Sequence, residues 1–123
     1  MAKKVFRFLF SIYGFFIFLL LMFLLMPFFI ISFLLSGVKG GNLIYKISRV
    51  WADLFFFMIG IITVNIYEQK HDPVKQYIFL SNHISYLDIP MMMKAIRHQH
   101  VRILGKSEMT KVPIFGYIYK KGA

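Results

Sequence analysis

The chain has 123 residues, about one small domain, yet 59% of them are hydrophobic and 19% aromatic, more than a soluble domain of that size accommodates. Part of that apolar surface is therefore expected to face lipid. Cysteine is missing, which excludes disulfides and thiolate chemistry, while fifteen Lys and Arg against five Asp and Glu give a charge of +10 that favours an anionic partner: a phospholipid surface, a phosphorylated substrate or a nucleic acid.

Residues 8–38 carry no charge. As straight helix that stretch would be about 46 Å long, against roughly 30 Å for a bilayer core, so it is long enough to span. Lys3, Lys4 and Arg7 also make the positive start of a cleavable signal peptide, but the apolar run is too long for one and no small-residue cleavage site closes it. Pro27 lies near the middle and removes a backbone donor, so a kink is expected there, or a split into two shorter arms. Lys3, Lys4 and Arg7 precede the run and Lys39, Lys46 and Arg49 follow it. This balance sets no orientation for a single crossing and suits a helix that enters and returns.

Gly37, Gly40, Gly41 and Asn42 predict a break near 37–42. Beyond it Leu43, Ile47, Val50, Trp51, Leu54, Phe55 and Met58 fall at helical spacing on one stripe, with Lys46, Arg49 and Asp53 off it. Arg49 and Asp53, four apart, are placed to pair. The uncharged interval from Asp53 to Glu68 is too short to span, which leaves an interfacial helix or a buried core helix as the two readings. Residues 1–60 are thus expected to form a two-helix membrane anchor.

Residues 61–123 read as α/β. Residues 61–67 are β-branched and partly alternating, His71, Asp72 and Pro73 give a turn, and residues 77–80 and 101–104 are two further short strands. A helix is predicted over 86–96, and residues 107–119 form a short helical or irregular stretch interrupted by Pro113 and Gly116. Alternating strand and helix predicts an α/β layer. A sheet of about three strands covers little apolar surface, so the domain reads as incomplete.

Its chemistry concentrates in residues 78–90. Ile78, Phe79 and Leu80 read as a buried strand, and Ser81 and Asn82 as its end, so His83 falls on a strand-to-helix connection, a common place for a reactive side chain. Asp88 lies five positions later, and on a continuous helix the two side chains would point roughly 140° apart. They can meet only if the backbone turns between them. Ser85-x-x-Asp88 is also the pattern of a capping box, in which the carboxylate satisfies amides at a helix start. His71, His98 and His100 lack the spacing and company of a metal site, Met91, Met92 and Met93 read as adaptable packing, and Lys120 and Lys121 as a solvated end.

Asn82-His83-x-Ser85-x-x-Asp88 resembles the His-x4-Asp signature of the glycerolipid acyltransferases, the family that includes the 1-acylglycerol-3-phosphate (lysophosphatidate) acyltransferases, its nearest likeness. Gly105-Lys106-Ser107-Glu108-Met109, followed by Val112-Pro113-Ile114-Phe115-Gly116, is similar to that family's next block in order and spacing. The resemblance covers residues 77–123 and implies transfer of a fatty acyl group from acyl-CoA or acyl carrier protein to the free hydroxyl of lysophosphatidate, in phospholipid synthesis. It implies His83 as general base and Asp88 as the group that orients it, with Lys106 facing the substrate phosphate and Asn82 and Ser85 also at the substrate. Histidine titrates near neutral pH, and a carboxylate on its other nitrogen fixes the tautomer and raises basicity. No acyl-enzyme, bound cofactor or metal is implied. The soluble donors imply the cytoplasmic face of a membrane.

The family's later Phe-Pro-Glu-Gly-Thr block, and the Arg-bearing segment before it, are not found in these residues. The expectation is therefore the N-terminal portion of a longer acyltransferase, with little or no activity alone. A different class, a non-catalytic basic membrane protein that binds anionic lipid, fits the charge equally. Nucleic acid fits the charge but not the layout, because most aromatic residues sit in the apolar anchor and not among basic ones.

Overall fold

The structure, a computed structural model, describes residues 1–35, 37–82, 84, 85, 87–97, 99–105, 107–113, 116, 117 and 120. Its first element, α1 (Ala2–Leu34), is one uninterrupted helix of 33 residues that continues through Pro27. The expected division into two arms does not occur. Apolar residues surround α1 on all sides, the pattern of a helix surrounded by protein or lipid and not by water, and it is long and apolar enough to cross a membrane. Phe6, Phe8, Phe15, Phe16, Phe23 and Leu24 are exposed around it.

The chain reverses between Leu34 and Gly37, whose φ of +62° is the left-handed backbone that glycine adopts without penalty. From there α2 (Gly37–Met58) runs antiparallel to α1. The break is thus shorter than the sequence predicts: Gly40 and Gly41 lie inside α2 and are buried. Leu25 and Phe29 of α1 meet Ile44 and Ile47 at one end, and Ile17 and Leu21 meet Phe55, Phe56 and Ile59 at the other. Trp51 bridges the two clusters, stacked on Phe55 and edge-on to Phe18, ring centroids 5.2 Å apart in both pairs. The Tyr13 hydroxyl donates to the Met58 carbonyl at 2.8 Å, supplying a carbonyl at the end of α2 with a partner that the helix cannot provide.

Glycine also ends α2. Gly60 has φ +73°, the Ile61 amide donates to the Phe56 carbonyl and the Gly60 amide to the Phe57 carbonyl. This pair of bonds is the Schellman motif, and Ile61 packs beside Phe56 as that motif favours.

The buried stripe of α2 is rotated from the expected one. Val50, Leu54 and Met58 are exposed, whereas Ile44, Tyr45, Ala52, Phe56 and Ile59 are buried. The reason is that α2 is covered on two sides, by α1 and by α3 (Asp88–Ala95) with the residues after it. Tyr45 donates to the Ile96 carbonyl at 3.1 Å, and Lys94 lies over the Phe56 ring at 5.2 Å. Asp53 does not pair with Arg49; it takes Arg97 at 3.1 Å and Lys94 at 3.7 Å, while Arg49 donates to the Arg97 carbonyl at 2.7 Å. The helices therefore form three layers with α2 in the middle. Trp51 Nε1 is buried without a hydrogen-bond partner.

The α/β expectation is corrected here. Among the described residues there is no strand. Residues 61–67, 77–80 and 101–104, each predicted as a strand, have no regular structure, and Ile62, Ile66, Ile78, Leu80 and Leu104 are 89 to 99% exposed. A strand exists only through hydrogen bonds to a neighbour, and β-branched alternation supplies the propensity without the neighbour. Side chains tie this region down instead. Gln99 donates to the Lys75 carbonyl at 2.7 Å, Tyr67 to the Ala95 carbonyl, and His71 sits among Tyr67, Tyr77 and Phe79 with ring centroids 5.2 to 5.9 Å away.

Candidate active site

The first helical residue of α3 is Asp88, two positions after the predicted start. Helix and carboxylate are set by one small turn. Asp88 Oδ2 accepts the Ile84 amide at 2.6 Å and the Ser85 amide at 2.8 Å. Ser85 Oγ accepts the Leu87 amide at 3.2 Å, and the Asp88 amide donates to the Ser85 carbonyl at 3.1 Å. The carboxylate reaching back to the Ser85 amide repeats one bond of a capping box, but from the first helical position, after an N-cap, Leu87, whose side chain makes no capping bond. Pro90 follows in the first turn and is buried, where a missing N–H costs nothing because that amide has no helical partner.

This turn has two chemical consequences. The helix does not extend back through residues 84 and 85, so the 140° separation of a continuous helix does not apply. The Asp88 carboxylate is also drawn to the Ile84 amide, the first backbone donor after position 83. Two charge-assisted hydrogen bonds at a helix N-terminus favour the ionised carboxylate. Asn82 and Ser85 are exposed on either side of position 83. His83 and Lys106 themselves lie outside the described residues, as does His98.

The second block begins with a 3-10 helix, Ser107–Lys111, closed by the Thr110 hydroxyl donating to the Ser107 carbonyl at 2.6 Å. Past Pro113, the Gly116 amide donates to the Val112 carbonyl at 2.7 Å, and Gly116 is buried. Tyr117 stands edge-on to Phe33 with centroids 4.4 Å apart. Tyr117, directly after the second block, thus meets the end of α1. Sequence reasoning missed this contact because it involves one ring on each side, 84 positions apart, with no periodic signal at either.

A family model described as acyltransferase matches residues 62–123, half of the chain. The chain belongs to the acyltransferase family. Neither a curated protein nor a solved structure matches it. The matched stretch takes in both blocks as well as residues 62–76, so membership rests on more of the acyltransferase sequence than the two motifs. The match leaves α1 and α2 outside it.

His71 and His100 occupy different surroundings. His71 is enclosed by aromatic rings, whereas His100 stands edge-on to Tyr45 at 6.1 Å. Desolvation of the face turned to Tyr45 lowers the pKa of His100, and Lys46, Arg102 and Arg49 nearby lower it further. Burial pushes the Tyr45 hydroxyl above its usual pKa, with Arg49 opposing, so Tyr45 remains a donor to Ile96.

Proposed function

We propose that this acyltransferase moves a fatty acyl group from acyl-CoA or acyl carrier protein to the free hydroxyl of lysophosphatidate, with His83 as general base and Asp88 as its orienting carboxylate. The observation that carries the proposal is the turn in which Asp88 Oδ2 holds the Ile84 and Ser85 amides, inside the His-x4-Asp stretch of a family member. His83 takes the hydroxyl proton as the substrate oxygen attacks the thioester carbonyl. The new C–O bond forms, the C–S bond breaks, and the proton on the imidazolium passes to the departing thiolate. Asp88 stabilises that imidazolium and fixes which ring nitrogen is free to accept. Lys106 is a suitable point charge for the substrate phosphate, and Asn82 and Ser85 flank the base as further substrate contacts.

The anchor fits a substrate that lives in a bilayer. Were α1 and α2 both to cross, Lys39, Lys46, Arg49 and Asp53 of α2 would lie in hydrocarbon at a cost of about 2.5–3.5 kcal/mol each at the midplane. The antiparallel packing of α2 along α1 supports a monotopic hairpin that lies along the membrane surface, with the exposed apolar face of α1 in lipid and the polar flank of α2 at the interface. The soluble donors place the catalytic part on the cytoplasmic face.

In the native protein, His83→Ala is expected to lower kcat for lysophosphatidate acylation by about 10²–10⁴. Wild-type turnover by that variant would remove the mechanism and favour the second reading, a basic protein that only binds anionic lipid. That reading draws on the charge of +10 and predicts that both His83 and Asp88 are replaceable.

A further inference from the structure

We infer that Lys46, Arg49 and Arg102, gathered around His100 on the flank of α2, bind the phosphate group of an anionic lipid at the membrane surface. This inference is independent of the acyl-transfer reading, because none of these residues belongs to either acyltransferase block.

Three elements of geometry assemble the cluster. Asn42, Lys46 and Arg49 are three to four positions apart and share one face of α2. Arg102 is fixed to that face by donating to Asn42 Oδ1 at 2.9 Å, one turn before Lys46. His100 is brought to the same face by its contact with Tyr45, and Arg49 is steadied by the Arg97 carbonyl.

The cluster is not neutralised internally. Among the described residues, no carboxylate lies within 4.0 Å of Lys46, Arg49 or Arg102; Asp53 is taken by Lys94 and Arg97, and Asp72 by Lys75. Lys46 and Arg102 are exposed, so an incoming anion can reach them. Desolvation against Tyr45 is the first cause of the lowered His100 pKa, and Lys46, Arg102 and Arg49 lower it further. Three cations with an amide and an imidazole at hand suit the several acceptor oxygens of a phosphate better than a single carboxylate, and arginine can grip it through two N–H groups. The lipid source follows from position. α2 packs its apolar face on α1, whose other faces carry exposed Phe and Leu, so embedding α1 sets the flank of α2 at headgroup depth.

The test is an NMR titration of the His100 imidazole in the full chain, held in uncharged maltoside micelles. Short-chain phosphatidylglycerol, phosphatidylcholine or inorganic phosphate is added, the signal is assigned with His100→Gln, and His71 serves as control. Phosphatidylglycerol is expected to raise the His100 pKa saturably and to leave His71 unmoved. Lys46→Gln and Arg102→Gln should each weaken half-saturation about fivefold, while Arg102→Lys, which keeps the charge, should retain most of the affinity. Lys46 is exposed, so its replacement leaves the fold intact. The same response to phosphatidylcholine, or variants that titrate like the wild type, would overturn the site. An equal response to inorganic phosphate at matched concentration would overturn the lipid as its source.

Discussion

The α1–α2 hairpin and the residues from 61 onward use similar apolar side chains to opposite ends. In the hairpin, Ile17, Leu21, Phe29, Ile44, Phe55 and Phe56 are 1 to 5% exposed, and each meets a partner on the facing helix. From residue 61 on, Ile62, Ile66, Ile78 and Leu80 are about nine-tenths exposed. A helix satisfies its own backbone and needs a partner only for its side chains, whereas a strand needs a partner for both. Apolar residues at helical spacing therefore settle into structure with one neighbour, and alternating apolar residues do not.

The comparison is broken most severely through Phe56, which is 1% exposed and touches all three helical layers, with Ile17 and Leu21 in its cluster and Lys94 over its ring. Phe56→Ala is expected to destabilise by about 3–5 kcal/mol, the range for truncating a buried aromatic residue. Denaturant unfolding in neutral micelles, followed by helical circular dichroism, measures it. A cost under about 1 kcal/mol would mean that the layers of α1, α2 and α3 do not share one core.

A smaller effect is expected at the seam between the two regions, where His100 meets α2. Its pKa in the folded protein is lowered, first by desolvation and then by Lys46, Arg102 and Arg49, while the unfolded chain restores a value of about 6.5. Below that pH the unfolded chain binds more protons than the folded one. The His100 contribution is therefore complete above about pH 6.5 and declines as pH falls through the interval down to the folded pKa. His100→Gln should flatten that part of the stability profile, and an unchanged slope between pH 7 and pH 5 would show that the ring is not held against the cations. The effect is modest because the ring is exposed and solvent screens the cations.

The α1–α2 hairpin was legible because its signals are local. An uncharged run of more than thirty residues announces α1, and glycines near residue 37 announce the reversal, although only Gly37 performs it while Gly40 and Gly41 stay helical. The Schellman ending at Gly60 was also available in the sequence, as a glycine directly after an apolar helix and before Ile61. What was not legible depends on distant contacts. The rotation of α2 follows from α3 covering a second face, and the loss of the Arg49–Asp53 pair follows from Arg97 and Lys94, more than forty positions away. At the candidate site, the Ser85-x-x-Asp88 spacing made the bonds from the Ile84 and Ser85 amides to Asp88 legible because they span four residues or fewer, while the helix start itself falls later, at Asp88.

The finest test of the comparison uses the residues that should matter least. Ile78 and Leu80 are 91 and 93% exposed, so replacing either with Ser removes no packing and leaves no cavity. Ile78→Ser and Leu80→Ser are each expected to change stability by no more than about 0.5 kcal/mol, measured in the same micelles as Phe56→Ala. The contrast is informative in both directions, since β-branched Ile78 contributes propensity but no contact. A penalty approaching that of Phe56→Ala would require both side chains to be buried against something, and residues 77–80 would then be a paired strand after all. Equal, small effects at both positions would instead show that alternation alone, without a neighbour to receive it, contributes little to holding this region together.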